Sequence, residues 1–307
     1  MTHHRPTPSE LLRIYQALLG RMYFPQNMNH SYQNELKGYE GEMKVNQLIK
    51  KHLKTPFFTM YGLLYEDYGT FFQPDTLLFT PNQLHLLEIK NYEGEFTFHD
   101  DYLYSHSTKK YYRNPIDQLN RGKLLLQNMF HEINIPLPLQ ANVIFVNPSF
   151  TLFQAEKNPN IILPTQLKGY FQRLNNNNQK PTLPREYLLY KDKLLLRNIS
   201  KSPFTKFPDY NMDKLQKGIL CRNCRIPMNF KNRKSLFCFS CNYLECMDSG
   251  ILRMMMEFQL LFPNKKITTS MIDQWCGNIV STRTMNRVLN NYLTAIPNGR
   301  SAHFIFK

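Results

Sequence analysis

The sequence predicts a mixed α/β domain, with helices flanking one sheet, followed by a compact cysteine module and a small helical segment. Three observations carry this prediction. Apolar residues at helical spacing bracket a series of short β-rich runs, turn residues punctuate those runs, and two Cys-x-x-Cys pairs stand close together in the last third. Hydrophobic residues make up 42% of the 307, ample for packed cores, and the 20% that are charged are ordinary, which excludes global disorder. No run approaches the ~18 apolar residues a membrane helix needs, and Met1–Pro6 lacks the long apolar stretch of a signal peptide. Six cysteines are too few for a secreted disulfide scaffold. The chain therefore reads as soluble and cytoplasmic, with no membrane partner.

The elements follow in order. Residues 8–22 place Leu11, Leu12, Tyr15, Leu18 and Leu19 at helical spacing, and a second helix is expected from about Asn34 to Lys54, buried along Val45, Leu48, Ile49 and Leu53. β-rich runs at 57–65, 70–79, 83–90 and about 95–104 are separated by Gly69, Pro81-Asn82 and Gly94. Pro115 opens an amphipathic helix through Glu132. A buried strand is expected at 141–147 and a helix at 164–174. The tract Asn175-Asn176-Asn177-Asn178-Gln179-Lys180-Pro181 has no apolar side chain long enough to build a core, so a loop or boundary is placed there. A helix near 184–197 and an irregular stretch at 199–213 follow. The expected divisions are an N-terminal helical extension (1–34), a main domain (35–175), a linker and helix (176–217), a cysteine module (218–247) and a basic helical segment (248–307).

Charge is distributed unevenly. Residues 1–200 carry 22 basic and 17 acidic side chains, whereas residues 201–307 carry 16 and 6, so the last third supplies +10 of the net +15. Such a field favours polyanions, chiefly nucleic acid or an acidic membrane surface, although solubility alone also accounts for it.

The informative stretch runs from Gln73-Pro74-Asp75 to Glu88-Ile89-Lys90-Asn91. With a turn between Pro81 and Asn82, antiparallel partners place Asp75 directly across from Glu88, where like charges destabilise a sheet unless a cation offsets them. A divalent ion taking oxygen ligands suits such a pair. Lys90 shares the face of Glu88, because side chains repeat every two residues, while Ile89 points to the packed side. Two carboxylates and a lysine suffice for metal-assisted phosphodiester hydrolysis. An exposed hairpin whose Glu and Lys merely solvate one face satisfies the same spacing.

These residues resemble the PD-(D/E)xK signature of the restriction-endonuclease-like superfamily, and within it the nuclease-related domain family, NERD. Four segments in order over roughly residues 35–150 carry the resemblance: Gly38-Tyr39-Glu40-Gly41-Glu42, Gln73-Pro74-Asp75, Glu88-Ile89-Lys90-Asn91 with Gly94, and Asn114-Pro115-Ile116-Asp117-Gln118. The resemblance implies a restriction-endonuclease-like mixed sheet flanked by helices, with Mg²⁺ or Mn²⁺ at the catalytic site. It implies Asp75 and Glu88 as metal ligands with the Ile89 carbonyl, and Lys90 as the catalytic lysine. Glu42 is implied to bind metal through water or to orient the lysine, with Glu40 a competing choice, and Gln118 to sit beside the substrate phosphate. Pro74 departs from the family's usual aliphatic residue. Nearby, Lys109, Lys110 and Arg113 are candidate phosphate contacts or a solvated loop. Tyr102, Tyr104, Tyr111 and Tyr112 suit base stacking or an ordinary sheet surface.

Cys221-Arg222-Asn223-Cys224 and Cys238-Phe239-Ser240-Cys241 have the spacing of a closed tetrahedral Zn²⁺ site, and the intervening Pro227–Phe237 stretch suits a hairpin, so the module resembles a zinc ribbon with structural zinc. Farther on, residues 267–289 read as helix, Gly turn and helix, resembling a small helix-turn-helix with Ser281 as N-cap and Arg283 and Arg287 as nucleic-acid contacts. A helical pair packed on the zinc ribbon fits equally. The combined expectation is a Mg²⁺-dependent deoxyribonuclease whose zinc ribbon and basic tail aid binding. The alternative is a non-catalytic DNA-binding or regulatory protein on a nuclease scaffold. No G-x-x-x-x-G-K-[ST] loop is present, so a protein partner would supply any helicase or ATPase step.

Overall fold

The computed structural model describes residues 5–99, 101–177, 181–232, 234–297 and 302–306. Met1–His4, Asn178–Lys180 of the polar tract and Arg233 of the expected hairpin lie outside the described residues. Contacts divide the chain into two units, Met1–Ser9 with Gln33–Lys206 and Glu10–Tyr32 with Phe207–Lys307. No helix among the described residues is long and apolar enough to cross a membrane.

In the first unit, five strands lie side by side in the order Phe58–Met60, Thr76–Thr80, Gln83–Lys90, Leu139–Phe145 and Ile161–Ile162. The first two junctions are antiparallel and the last two parallel. Alternation along these strands serves two cores. Leu77, Phe79, Leu84, Leu86, Val143 and Phe145 pack with Leu119, Leu126, Met129 and Phe130 of helix Pro115–Glu132. On the opposite face, Leu78, Leu87, Ile89 and Ile144 meet Val45 and Ile49 of helix Gln26–His52 and Tyr170, Phe171 and Leu174 of helix Leu167–Asn177. Helices thus flank one mixed sheet, as expected. A second, four-stranded sheet runs Phe150–Phe153, Gly94–His99, Tyr102–Ser105, Lys110–Arg113.

Several boundaries fall elsewhere than the sequence pattern placed them. Helix Gln26–His52 begins well before Asn34 because its first turns are polar and mostly exposed, so no apolar stripe marks them. Asn175–Asn177 are not loop but the last residues of a helix. There Asn175 accepts from the N–H groups of Lys54 and Thr55 and donates to the His52 carbonyl, so a polar residue caps a neighbouring helix end. Helix Glu186–Leu196 buries Tyr187 and Leu194 in the first unit's core rather than standing in a linker.

The second unit is built on one core. Helix Glu10–Leu18 contributes Ile14, Ala17 and Leu18, so residues 1–34 do not stand apart as an extension. A three-stranded sheet (Asn229–Asn232, Ser235–Phe237, Leu244–Cys246) contributes Leu236. Helices Met247–Leu261, Thr269–Trp275 and Thr282–Tyr292 supply Met254, Met255, Trp275 and Leu289. Gly250 is pressed against Leu236, where a Cβ would lie 2.6 Å from its Cδ1. Ribbon and helices therefore share one core instead of forming separate modules. The expected all-helical segment ends in a hairpin, Leu293–Ile296 with His303–Phe306, and Phe304 also bridges to Ile267.

Candidate active site and metal centre

The pairing of Thr76–Thr80 with Gln83–Lys90 has the register the sequence predicts, from Thr80 opposite Gln83 to Thr76 opposite Leu87. Continued one residue, it sets Asp75 against Glu88. Asp75 lies just before its strand, and its Oδ2 accepts from the Ile89 N–H at 2.7 Å. Glu88 is 5% exposed, at the end of a strand whose Leu84 and Leu86 line the core below it. Lys90 donates to Glu88 Oε1 at 2.8 Å and to Gln118 Oε1 at 2.9 Å. Gln118 reaches it from the start of helix Pro115–Glu132, which Asn114 caps by accepting from the Ile116 N–H. Lysine carries three N–H donors, so a third is left for an incoming oxygen.

Glu42 arrives from the other side of the sheet. Its neighbour Gly41 explains how: a Cβ there would lie 2.9 Å from Asn91 Cβ and 3.4 Å from Ile89 Cγ2. Without that side chain, the helix approaches the strand end closely. Asn91 then ties the two together, donating to the Lys37 carbonyl at 2.9 Å and accepting from Lys44 Nζ at 3.3 Å. The sequence pattern gives Gly41 and Asn91 no role; the structure makes them the fastening between helix and strand. Glu40 is exposed, and of the two it is Glu42 whose charge raises Asp75.

The electrostatics follow from crowding acids against a core. Burial, followed by the charges of Glu88 and Glu42, raises Asp75 well above the usual carboxylate range, against the Ile89 N–H and Lys90, which lower it. Burial raises Glu88 too, with Lys90 pulling the other way. Burial opposes the charge on Lys90, but Glu88, Tyr92 and Asp75 together outweigh it and raise its pKa. Burial, then Glu35 and Glu88, lifts Glu42 to about 7. An all-oxygen donor set with excess negative charge, relieved by only one lysine, fits a hard divalent cation held by Asp75 and Glu88. Glu42 is near enough for its charge to raise Asp75.

One stretch of the chain is similar to a known family. Residues 37–146 match the nuclease-related domain, NERD. No curated protein and no solved structure matches the chain. The NERD match covers a little over a third of the 307 residues and contains Glu42, Asp75, Glu88, Lys90 and Gln118. Beyond the NERD segment, the first unit adds the helices that complete its cores.

The second unit holds a different centre. Cys221, Cys224, Cys238 and Cys241 bring their Sγ atoms within 4.8 Å of one another, with 3.5 Å between Cys221 and Cys241 and 3.4 Å between Cys224 and Cys238. A tetrahedral set at the usual Zn–S length separates its sulfurs by roughly 3.8 Å. Both knuckles close alike: Arg225 and Asn242, each following the second cysteine of its pair, have φ of 60° and 58°, and each N–H returns to the carbonyl of Cys221 or Cys238. The cluster can hold a structural metal ion and is compatible with a zinc ribbon.

The basic candidates divide. Lys110 and Arg113 are exposed on the edge strand of the second sheet of the first unit and Lys109 in the turn before it, and Arg283 is exposed on its helix. Arg287 is not free for a phosphate: it makes a bidentate pair with Asp248 at 2.6 and 2.7 Å, clamping helix Thr282–Tyr292 to helix Met247–Leu261.

Two outcomes follow. Between pH 4.5 and about 7 the folded chain keeps a proton on Glu42 that the unfolded chain has released, so stability falls as pH rises through that window and is level above it. In EDTA, Glu42→Gln should therefore melt above wild type at pH 8, by up to about 3 kcal/mol, and with wild type at pH 4.5. Equal melting at pH 8 would remove Glu42 from the acidic cluster. Gly41→Ala should cost about 1–3 kcal/mol in denaturant unfolding, whereas an unchanged midpoint would show that the helix has room to shift.

Proposed function

We propose that this chain is a metal-dependent nuclease that hydrolyses phosphodiester bonds in DNA, with its zinc ribbon and basic tail adding affinity for nucleic acid. The observation that carries this reading is Lys90, held between Glu88 and Gln118 with one donor left over, beside an Asp75 fixed on the Ile89 N–H. The NERD match supports a nuclease-related role and nucleic-acid binding.

In this reading Asp75 and Glu88 would hold Mg²⁺ or Mn²⁺, which when bound acts as a Lewis acid and lowers the pKa of a coordinated water. Lys90 offers its remaining N–H to a phosphate oxygen, stabilising charge as it develops on the phosphoryl group. Gln118 fixes the lysine's direction through its carbonyl oxygen, which leaves its exposed amide nitrogen to face the substrate. Glu88 and Asp75 favour the charged form of Lys90. In the second unit, Arg283 is an exposed basic residue of the helix that Ser281 caps, in a helix-turn-helix-like pair followed by a hairpin.

Purified protein with supercoiled plasmid and linear DNA should cut in Mg²⁺ or Mn²⁺ and not in EDTA. Glu88→Ala and Lys90→Ala should each lower the rate at least about a hundredfold while melting cooperatively. Salt-sensitive binding without cutting would make the chain a DNA-binding or regulatory protein on a nuclease scaffold. Equal weak activity in wild type and variants would mark a contaminant.

Metal analysis should find about one zinc per chain. Cys238→Ser should lose it and lower the melting temperature, because metal bound by a folded thiolate set is folding free energy. Full stability after zinc removal would count against the ribbon.

A further inference from the structure

The second sheet of the first unit has one face that folding requires and one that it does not. Phe96, Leu103 and Phe150 are buried inward with Tyr112 packed against them. The outward face should then be polar, and it is not. Strand register sets Phe153, Thr97, Tyr104 and Tyr111 in one row across all four strands, and His99, Tyr102 and Arg113 in the next. Tyr111 is 64% exposed, Tyr102 50% and Phe153 45%.

The rings form a continuous surface. Tyr104 lies 5.0 Å from Tyr111 and 5.2 Å from His106 between centroids, Tyr102 lies 6.3 Å from Tyr111, and His106 lies 6.4 Å from Phe153. Cross-strand ring pairs help hold a sheet together, but they do not require so much ring area in water.

We propose that this face is a stacking platform for single-stranded DNA. Bases present π-faces that stack on aromatic side chains whatever their sequence, and such platforms pair rings with cations that follow the backbone. Here Arg113 shares the row of Tyr102, with Lys110 on the same edge strand and Lys109 in the turn before it, all three exposed; the exposed acids Glu95 and Asp101 stand near them and Glu156 lines the adjoining cleft. A duplex hides its base faces, so it gains nothing from the rings. The platform also leads toward the catalytic lysine. Arg113 ends the strand that carries Tyr111, Asn114 caps the next helix, and Gln118 on that helix bonds Lys90. A cleft of about 580 Å³ lined by His99, Asn114, Ile116, Gln154, Glu156 and Lys157 continues from the second row to that helix start. The choice of DNA rests on the nuclease reading; the stacking does not.

The test is fluorescence anisotropy of the full chain with labelled oligothymidylate of roughly twenty nucleotides, in EDTA so that nothing is cut. Tyr104→Ala with Tyr111→Ala should weaken binding about tenfold or more. Tyr104→Phe with Tyr111→Phe should bind like wild type, because the ring is kept. A blunt duplex should bind all three proteins alike. Unchanged oligothymidylate binding by the alanine variant, equal loss by the phenylalanine variant, or equal loss of duplex would each overturn the platform. Tighter binding of oligouridylate than of oligothymidylate would overturn its assignment to DNA. Because no step requires turnover, a chain that proves inactive as a nuclease still gives a clear answer.

Discussion

Two carboxylates facing each other at the end of an apolar sheet set the terms for the first unit. Asp75 and Glu88 are brought together by a hairpin register that packing enforces, since a slip of one residue would carry Leu77, Phe79, Leu84 and Leu86 to the other packed face and upset the fit of both cores. The sheet cannot relieve the repulsion by moving the acids apart. Relief comes from added groups: the Ile89 N–H on Asp75, Lys90 on Glu88, and Gln118 steadying the lysine. Burial then leaves both acids with raised proton affinity, a state that a divalent cation relieves better than a single ammonium.

Glu42 shows that the arrangement is built rather than tolerated. A helix packed on the opposite face of the sheet would ordinarily hold its polar residues away from such a cluster. Gly41 removes the one Cβ that would keep the helix off Ile89 and Asn91, and the Asn91 amide fastens the approach. The result adds a third acid to a site already carrying two. In purely structural terms this is a cost, and it makes sense where negative charge is itself the product.

Much of this was legible in the sequence because period-two alternation and a two-residue turn fix a register by arithmetic: Asp75 opposite Glu88, and Lys90 on the same face as Glu88. The Cys-x-x-Cys pairs were legible for a similar reason, since tetrahedral thiolate chemistry needs that spacing. What escaped depended on partners distant in sequence. Gln26 to Gln33 have no apolar stripe to mark them as helix. Asn175 looks like loop until the end of helix Gln26–His52 arrives to be capped. Strand Lys110–Arg113 is four residues long and mostly exposed, so only pairing with Tyr102–Ser105 defines it. Arg287 read as a basic contact because Asp248, 39 residues earlier, is invisible to local pattern.

That pairing clarifies the charge of the second unit. Residues 201–307 hold 6 acidic side chains. Three are paired with arginines: Glu245 with Arg253 and Glu257 with Arg21 and Arg225 inside the fold, and Asp248 with Arg287 at its surface. Arg21 is wholly buried, bonded also to the Gln216 and Gly218 carbonyls and stacked 3.9 Å over Trp275, so its pair with Glu257 specifies packing rather than surface potential. Each internal pair removes one acid from the surface. Glu257 absorbs two arginines, Arg21 and Arg225, at once. Because the basic residues of this stretch far outnumber the acids, the exposed remainder is still strongly positive, and fewer acids are left among them to repel a phosphate backbone. The ion pairs that lock the second unit together therefore also shape the field it presents to a polyanion.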